Sequence, residues 1–189
     1  MLTLLASIVD LAVVTAFALV AIGAKAIDRR GFLASLAVGY PIILGGGWRW
    51  FVIVATFFVL GVGFTWYRYE YKKSIGSAQE KGGTRNWPNI LANGGVASLL
   101  GLGELLGGGL FFSVLYVGAV SAAASDTVAT ELGLLNKAPP RLITDLRKSV
   151  SPGTSGGVSP MGMVASMKLT GSSLESMFVE ILKVAILHC

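Results

Sequence analysis

Carboxylates, hydroxyls, glycines and basic side chains are concentrated in residues 125–159 of an otherwise apolar chain. Asp126 and Glu131 follow a run of small residues, and four basic side chains come after them. The stretch ends in residues 152–157, PGTSGG, just before another apolar run. Glycine-rich turns bind phosphate and carboxylates bind divalent cations. The stretch therefore predicts a phosphate and metal site.

Asp126 and Glu131 are the candidate metal ligands, and their spacing limits how they can act together. In a continuous helix Asp126 shares a face with Thr130, whereas Glu131 lies about 140° away around the axis. One magnesium ion binds both carboxylates only if the helix unwinds or another loop contributes. The spacing is equally compatible with Asp126 capping a helix that begins at Thr127, with Glu131 in solvent.

Two similar glycine pairs stand out, in residues 93–96 (NGGV) and 155–158 (SGGV). Each follows a basic loop, and each is expected to open an apolar helix. Glycine lets a backbone approach a ligand, and a helix N-terminus offers unpaired N–H groups to an anion. Together with Arg85, Arg141 and Lys148 they would form a polyphosphate cradle. The alternative is that both pairs are turns or tight helix contacts.

Composition indicates an integral membrane protein. Of 189 residues 53% are hydrophobic and only 13% are charged, with a mean hydropathy of +0.72, well outside globular usage. We expect one membrane domain, an all-α bundle of six or seven transmembrane or partial helices. The candidate segments are residues 4–27, 32–44, 50–66, 90–106, 110–124, 161–169 and 176–187, with glycine turns at 45–47 and 107–109. The first lacks the basic start of a signal peptide and is interpreted as a retained span.

The distribution of basic residues predicts the orientation. Most of the 15 Lys and Arg residues fall in, or on the same side as, two polar loops, residues 68–95 and 125–159. Positively charged loops favour the cytoplasm, so both loops are predicted to be cytoplasmic and the N-terminus outside. Attraction to anionic headgroups accounts for the net charge of +5 without a nucleic-acid partner.

Several kinds of chemistry are disfavoured by what the chain lacks. Its one cysteine, Cys189, allows no intrachain disulfide and no cysteine metal cluster. Its one histidine, His188, is poorly placed to activate a serine or cysteine nucleophile. Neither standard nucleotide-binding loop, G-x-x-x-x-G-K-[ST] or G-x-G-x-x-G, occurs.

Three segments resemble the transmembrane protein 19 family of integral membrane proteins, which includes the plant phytyl-phosphate kinase of tocopherol synthesis. They are residues 69–95 (YEYKKSIGSAQEKGGTRNWPNILANGG), 121–133 (SAAASDTVATELG) and 139–159 (PPRLITDLRKSVSPGTSGGVS). The chain is similar, more remotely, to CTP-dependent polyprenol and dolichol kinases. The resemblance implies a kinase that uses magnesium and a nucleotide, with CTP the expected donor. Its acceptor would be an isoprenyl monophosphate of the phytyl or geranylgeranyl type, converted to the diphosphate.

The resemblance also implies roles for individual residues. Asp126 and Glu131 would bind the metal and, with Lys148, form the catalytic set. The implied nucleotide- and phosphate-binding residues are Lys72, Arg85, Asn86, Asn93, Gly94, Thr127, Arg141, Gly153, Thr154, Ser155 and Gly156. The chain departs from the family near its end, where Glu175-Ser176 replaces an Asp-Ser pair.

Two other functions fit the same residues. Paired helix N-termini directed at an anion also occur in transporters of anionic metabolites. A related enzyme would form a CDP-lipid and release pyrophosphate. The expected partners are the bilayer, an isoprenyl phosphate and a nucleotide, and the chain is compatible with a homodimer.

Overall fold

The computed structural model describes residues 2–78, 81–136, 138–168 and 171, most of them helical. The helices are α1 (Leu2–Gly23), α2 (Arg29–Trp66), α3 (Tyr69–Ser74), α4 (Trp87–Leu105) and α5 (Leu110–Gly133), with a 3₁₀ turn at Lys81–Gly83. Residues 160–168 are also helical. The strands are β1 (Arg141–Leu142), β2 (Asp145–Ser149) and β3 (Gly157–Val158). The mostly helical fold agrees with the prediction, whereas the strands were not expected.

The chain folds as two compact units. The first comprises Met1–Val62 and Glu80–Val120, and the second comprises Gly63–Gln79 and Ser121–Cys189. The predicted loop of residues 68–95 is therefore divided between the two units. The predicted loop of residues 125–159 lies wholly in the second.

In the first unit, α2 reverses direction at Gly47, whose φ of 68° and ψ of −164° are not helical. A straight helix would hold Phe32 and Val62 about 45 Å apart, yet both belong to one apolar cluster with Ala21 of α1. The reversal falls at the third glycine of the predicted 45–47 turn. Each half of α2 is about 27 Å long, close to the thickness of a bilayer core.

Among the residues that the structure describes, two helices are long and apolar enough to cross a membrane, α2 and α5. Residues Ser7–Gly23 of α1 form a shorter apolar helix. The predicted spans at residues 161–169 and 176–187 lie partly or wholly outside the described residues. The number of spans stays a prediction.

Small residues allow α4 to pack very closely on the first half of α2. A Cβ added to Gly101 would lie 2.5 Å from the Pro41 carbonyl oxygen, and one added to Gly94 would lie 2.7 Å from the Val38 side chain. The Ser98 hydroxyl donates to the Ala37 carbonyl at 3.3 Å. Such backbone contacts, enabled by glycine and serine, are a common means of joining helices in lipid.

The position of the first glycine pair corrects one prediction. Residues 93–96 do not open a helix, because α4 begins at Trp87 and Asn86 is its N-cap. The Asn86 side chain accepts a hydrogen bond from the Asn89 amide at 3.2 Å, and Pro88 stands in the first turn, where it is well tolerated. Gly94 is thus a packing glycine inside the helix.

In the second unit, the three strands form an antiparallel sheet in the order β2-β1-β3. The second glycine pair also does not open a helix, because Gly157 and Val158 are β3, paired with β1. The helix of residues 160–168 begins after Ser159, whose hydroxyl accepts from the Gly162 amide at 3.1 Å. That helix packs closely on α5, since a Cβ on Gly162 would lie 2.6 Å from the Ala129 carbonyl oxygen.

We predict that Gly101→Ala destabilises the protein by about 1–3 kcal/mol, the usual range for overpacking, because the added methyl meets the Pro41 backbone. Gly95→Ala is the matched control, since a Cβ there meets nothing within 4 Å. It should be neutral or stabilising by up to about 1 kcal/mol through helix propensity. Thermal unfolding of both variants in detergent measures the difference. Equal midpoints would contradict the close contact between α2 and α4.

Candidate functional site

A cavity of about 500 Å³ lies in the second unit. It is bounded by α5, by residues 152–159 and by the helix of residues 160–168. Its described polar lining consists of the side chains of Asp126, Thr130, Asn136, Thr154, Ser155, Ser159 and Ser166. Four predicted phosphate-binding residues line it together with Asp126, namely Gly153, Thr154, Ser155 and Gly156.

α5 presents Asp126 and Thr130 to this cavity. The helix is continuous from Leu110 to Gly133, so residues four apart share a face. Both side chains are exposed. The alternative in which Asp126 caps a new helix at Thr127 is wrong, because both residues lie inside α5. Thr127 is partly buried and is not among the described lining residues.

Opposite α5, residues 151–157 form two consecutive turns. The Thr154 amide donates to the Ser151 carbonyl at 3.1 Å, and the Gly157 amide donates to the Thr154 carbonyl at 2.9 Å. Gly153 and Gly156 have φ values of 84° and 75°, a region that other residues rarely adopt. Residues 151–156 are exposed, so their backbone can approach a ligand closely.

Two serines that sequence reasoning did not assign hold these elements in place. The Ser77 hydroxyl, just after α3, donates to the Pro152 carbonyl at 2.8 Å and fixes the start of the turn. Ser159 caps the helix of residues 160–168, and its hydroxyl lies 3.4 Å from the Gly133 carbonyl. The serine that directly precedes a helical run was the available signal for the cap.

Lys72 of α3 and Glu131 of α5 form a buried ion pair. The Lys72 ammonium donates to Glu131 Oε2 at 2.6 Å and to the Phe64 carbonyl at 2.7 Å. The Thr65 hydroxyl donates to Glu131 Oε1 at 2.7 Å. The three side chains are only 1%, 3% and 2% exposed for Lys72, Glu131 and Thr65. Lys72 was assigned to the nucleotide and Glu131 to the metal, and the structure joins them to each other.

The structure does not bring Asp126 and Glu131 to one site. Asp126 is exposed and lines the cavity, whereas both Glu131 oxygens accept hydrogen bonds in the interior. Within the described residues no group of three His, Cys, Asp or Glu side chains gathers. Magnesium commonly uses one or two carboxylates and completes its shell with water and substrate phosphates. Asp126, with the nearby Thr130 hydroxyl, fits such a site, and the joint metal role of Glu131 stays a prediction.

Other predicted residues lie outside the described cavity lining. Arg141 and Lys148 are on the sheet and exposed, and Arg141 Nη1 donates to the Leu146 carbonyl at 2.7 Å. In the first unit, Arg85, Asn93 and Gly94 line a separate, mainly apolar cavity. Asn86 serves as the α4 cap. Glu175, Ser176 and His188 lie outside the described residues.

The comparisons with known proteins identify the family. The family described as Integral membrane protein DUF92 matches residues 12–187. An uncharacterized membrane protein of Methanocaldococcus jannaschii, MJ0933, is 30% identical over 165 residues, which is 87% of this chain and 67% of the relative. No solved structure matches the chain.

Two plant proteins are also similar. Protein PGR of Arabidopsis thaliana is 29% identical over 164 residues, 76% of this chain and 54% of the relative. Protein VTE6, chloroplastic, of the same plant is 29% identical over 147 residues, 75% of this chain and 44% of the relative. The chain thus spans about two thirds of the archaeal relative and about half of the plant ones.

We predict that Glu131→Gln destabilises the protein by about 3–5 kcal/mol, because removing one partner leaves the buried Lys72 charge uncompensated. The double variant Lys72→Met, Glu131→Gln should recover most of that loss, since neither charge remains. Glu70→Gln is the control, an exposed carboxylate on α3 whose loss should change stability by less than about 0.5 kcal/mol. Thermal unfolding in detergent gives the order of the midpoints. A double variant as unstable as the single one would contradict the buried pair.

Proposed function

Because the chain belongs to the family Integral membrane protein DUF92, we propose that it is a membrane-embedded, nucleotide-dependent kinase that converts an isoprenyl monophosphate to the diphosphate. CTP is the proposed donor and magnesium the proposed cofactor. The family resemblance carried by residues 69–95, 121–133 and 139–159 supports a kinase. The chain spans about half the length of the plant relatives. The activity of the whole protein is therefore part of what we propose.

The single observation that carries the proposal is the cavity between Asp126 and the glycine turns of residues 151–157. Its volume of about 500 Å³ is within the range of roughly 300–1,000 Å³ that small-molecule sites occupy. One side supplies a carboxylate and hydroxyls, and the other supplies exposed backbone at Gly153 and Gly156. Such a combination suits a polyphosphate accompanied by a hard cation.

The proposed reaction asks little covalent chemistry of the protein. A phosphate oxygen of the acceptor forms a bond to the γ-phosphorus of the nucleotide, and the bond from that phosphorus to the bridging oxygen breaks. The products are the isoprenyl diphosphate and a nucleoside diphosphate. Catalysis of this kind depends on in-line positioning and on stabilising charge around the transferred group.

The residues of the cavity match those needs. Asp126 would hold magnesium, which neutralises phosphate charge when bound. The backbone of residues 153–156 would orient the phosphates, as glycine-rich turns do elsewhere. The acceptor is already an anionic phosphate, so no strong general base is required. Ser77 and Ser159 would keep the two sides of the cavity in place.

The direct test supplies purified protein with geranylgeranyl or phytyl monophosphate, CTP and magnesium, and identifies products by mass spectrometry. We expect the diphosphate and CDP. Asp126→Asn should lower turnover by about 10²-fold or more, as loss of a group that stabilises transition-state charge does. Asp145→Asn is the control, an exposed carboxylate on β2 that should leave turnover unchanged.

Other products would decide between the alternatives. Formation of a CDP-lipid with release of pyrophosphate would indicate a cytidylyltransferase instead of the kinase. Uptake of an anion into proteoliposomes without nucleotide would indicate a transporter. Full turnover in Asp126→Asn would remove the proposed metal ligand, and absence of diphosphate across several prenyl phosphates and nucleotides would refute the kinase.

The glycine turn gives a second prediction. Gly153→Ala should raise the KM for the nucleotide at least tenfold, because φ of 84° costs a residue with a side chain about 1–2 kcal/mol and the turn must shift. Gly107→Ala, between α4 and α5, is the matched control, with φ of 96° and open space around its Cβ. Both changes should lower the unfolding temperature similarly, whereas only the first should alter nucleotide kinetics. Equal KM values would place the nucleotide elsewhere.

A further inference from the structure

The hairpin formed by β1 and β2 carries exposed apolar side chains at its tip. Leu142 pairs with Asp145, so Ile143 and Thr144 form the turn between the strands. Ile143 is 63% exposed and Leu146 is 59% exposed. β2 is exposed at each of its five residues, whereas a strand of an antiparallel sheet usually buries alternate side chains. Within the part of the chain that the structure describes, the protein therefore leaves this tip uncovered.

Cations lie beside the apolar tip. Arg147 and Lys148 follow it directly in β2 and are exposed, and neither is among the described lining residues of the 500 Å³ cavity. With Arg141, residues 139–149 carry three basic side chains against one acidic side chain, Asp145, for a net charge of +2. Basic residues next to exposed apolar ones favour binding to an anionic membrane surface.

Both ends of the hairpin are held close to the end of α5. This helix is long and apolar enough to cross a membrane, and it ends at Gly133. After the hairpin the chain returns there, since the Ser159 hydroxyl donates to the Gly133 carbonyl at 3.4 Å. The base of the hairpin is closed by the Val150 amide, which donates to the Pro140 carbonyl at 2.9 Å. Thr144 is four residues beyond that bond, or about 13 Å along a strand.

The chain that follows β2 is also joined to residues typical of the headgroup level. α2 ends at Trp66, Tyr67 comes next, and Tyr71 lies in α3. These three side chains are 42%, 52% and 40% exposed, and exposed Trp and Tyr at the ends of spanning helices collect at the membrane–water interface. The Ser77 hydroxyl, just after α3, donates to the Pro152 carbonyl at 2.8 Å. The hairpin is therefore connected on this side to a segment that lies at the membrane surface.

The outer edge of the sheet is poorly suited to pairing with a strand of another protein. β2 is an edge strand, and such edges can accept a further strand unless their backbone groups are occupied. The Arg147 amide donates to Asp145 Oδ1 at 3.1 Å, and the Leu146 carbonyl accepts from Arg141 Nη1 at 2.7 Å. Side chains of the hairpin thus occupy backbone groups that a partner strand would need. What the hairpin presents to a partner is its charges and its apolar side chains.

We propose that the hairpin tip, residues 143–148, docks on the anionic headgroups of the bilayer beside α5. Ile143 and Leu146 insert between the lipids, and Arg147 and Lys148 lie against the negative charges. Charge complementarity selects this occupant, because a surface without net charge gains nothing from the two cations. Docking holds the sheet, and with it the glycine turns that precede β3, at the membrane surface. It is independent of the proposed kinase activity, because it needs neither nucleotide nor metal.

The test measures how deeply the tip lies in membranes of different charge. The full chain with Cys189→Ser and Leu146→Cys carries one spin label, in nanodiscs of phosphatidylcholine alone or mixed with phosphatidylglycerol. Collisions with a water-soluble nickel chelate report the exposure of the label to water. We expect at least threefold greater shielding with the anionic lipid, since two basic residues favour the docked state on the order of tenfold. A label at Ile143→Cys should behave in the same way.

Matched charge variants separate the hairpin from the rest of the protein. Arg147→Gln combined with Lys148→Gln should abolish the difference between the two membranes. Arg29→Gln combined with Arg30→Gln removes the same charge from exposed residues at the start of α2 and should leave the difference unchanged. All four side chains are exposed, so both variants should unfold at the temperature of the parent chain.

Each other outcome would overturn the proposal. A label at position 146 that is equally open to nickel in both membranes would show that the tip does not dock. Equal shielding in both would show that protein or neutral lipid covers the tip. A difference that persists without Arg147 and Lys148 would show that these cations do not direct the docking. Failure of the kinase assay with the lipid-dependent shielding intact would refute only the proposed reaction.

Discussion

A buried charge is stable only when it is paired and hydrogen-bonded, and the interior pair of Lys72 and Glu131 meets that condition. Two hydrogen bonds from Lys72 and one from Thr65 satisfy the carboxylate and the carbonyl of Phe64. In a chain with so few charged residues, burying this pair is costly unless all three bonds form together. The pair therefore joins the end of α2, the short α3 and α5 within the second unit. The face of α5 that carries Asp126 is presented on the opposite side.

In the first unit, glycine and serine residues join the helices. Lipid supplies little hydrophobic driving force between helices, so close backbone packing is needed instead. Gly94, Ser98 and Gly101 place one edge of α4 directly on α2. Residues that look like ligand-binding glycines in the sequence are here structural. The same residue type acts differently at Gly153 and Gly156, where positive φ angles shape an exposed turn.

Features that depend on composition, such as the helical membrane fold, could be predicted from the sequence. Features that depend on contacts between distant residues could not. Hydropathy indicated a helical membrane protein. Helical spacing gave the arrangement seen in α5, with Asp126 and Thr130 on one face and Glu131 away from it, as one of two alternatives. The Asn86 cap was missed because the start of the helix was predicted at the later Asn93-Gly94-Gly95. The pairing of Lys72 with Glu131, 59 residues apart, has no local signature, since tertiary contact alone brings them together. The sheet was missed because β1 and β3 are two residues each, too short for any alternation to appear.

The contact between Gly101 and Pro41 also selects a single register for α4. A slip of one residue along the helix would set Leu100 or Leu102 against the α2 backbone, where not even one methyl fits. Apolar side chains slide past one another at little cost in lipid, so hydrophobicity alone would allow several depths. Because Gly101 has no side chain, α4 fits against α2 at one depth only. The depth at which the first turn of α4 lies beside α2 is therefore set by a steric contact about four turns away on the same helix.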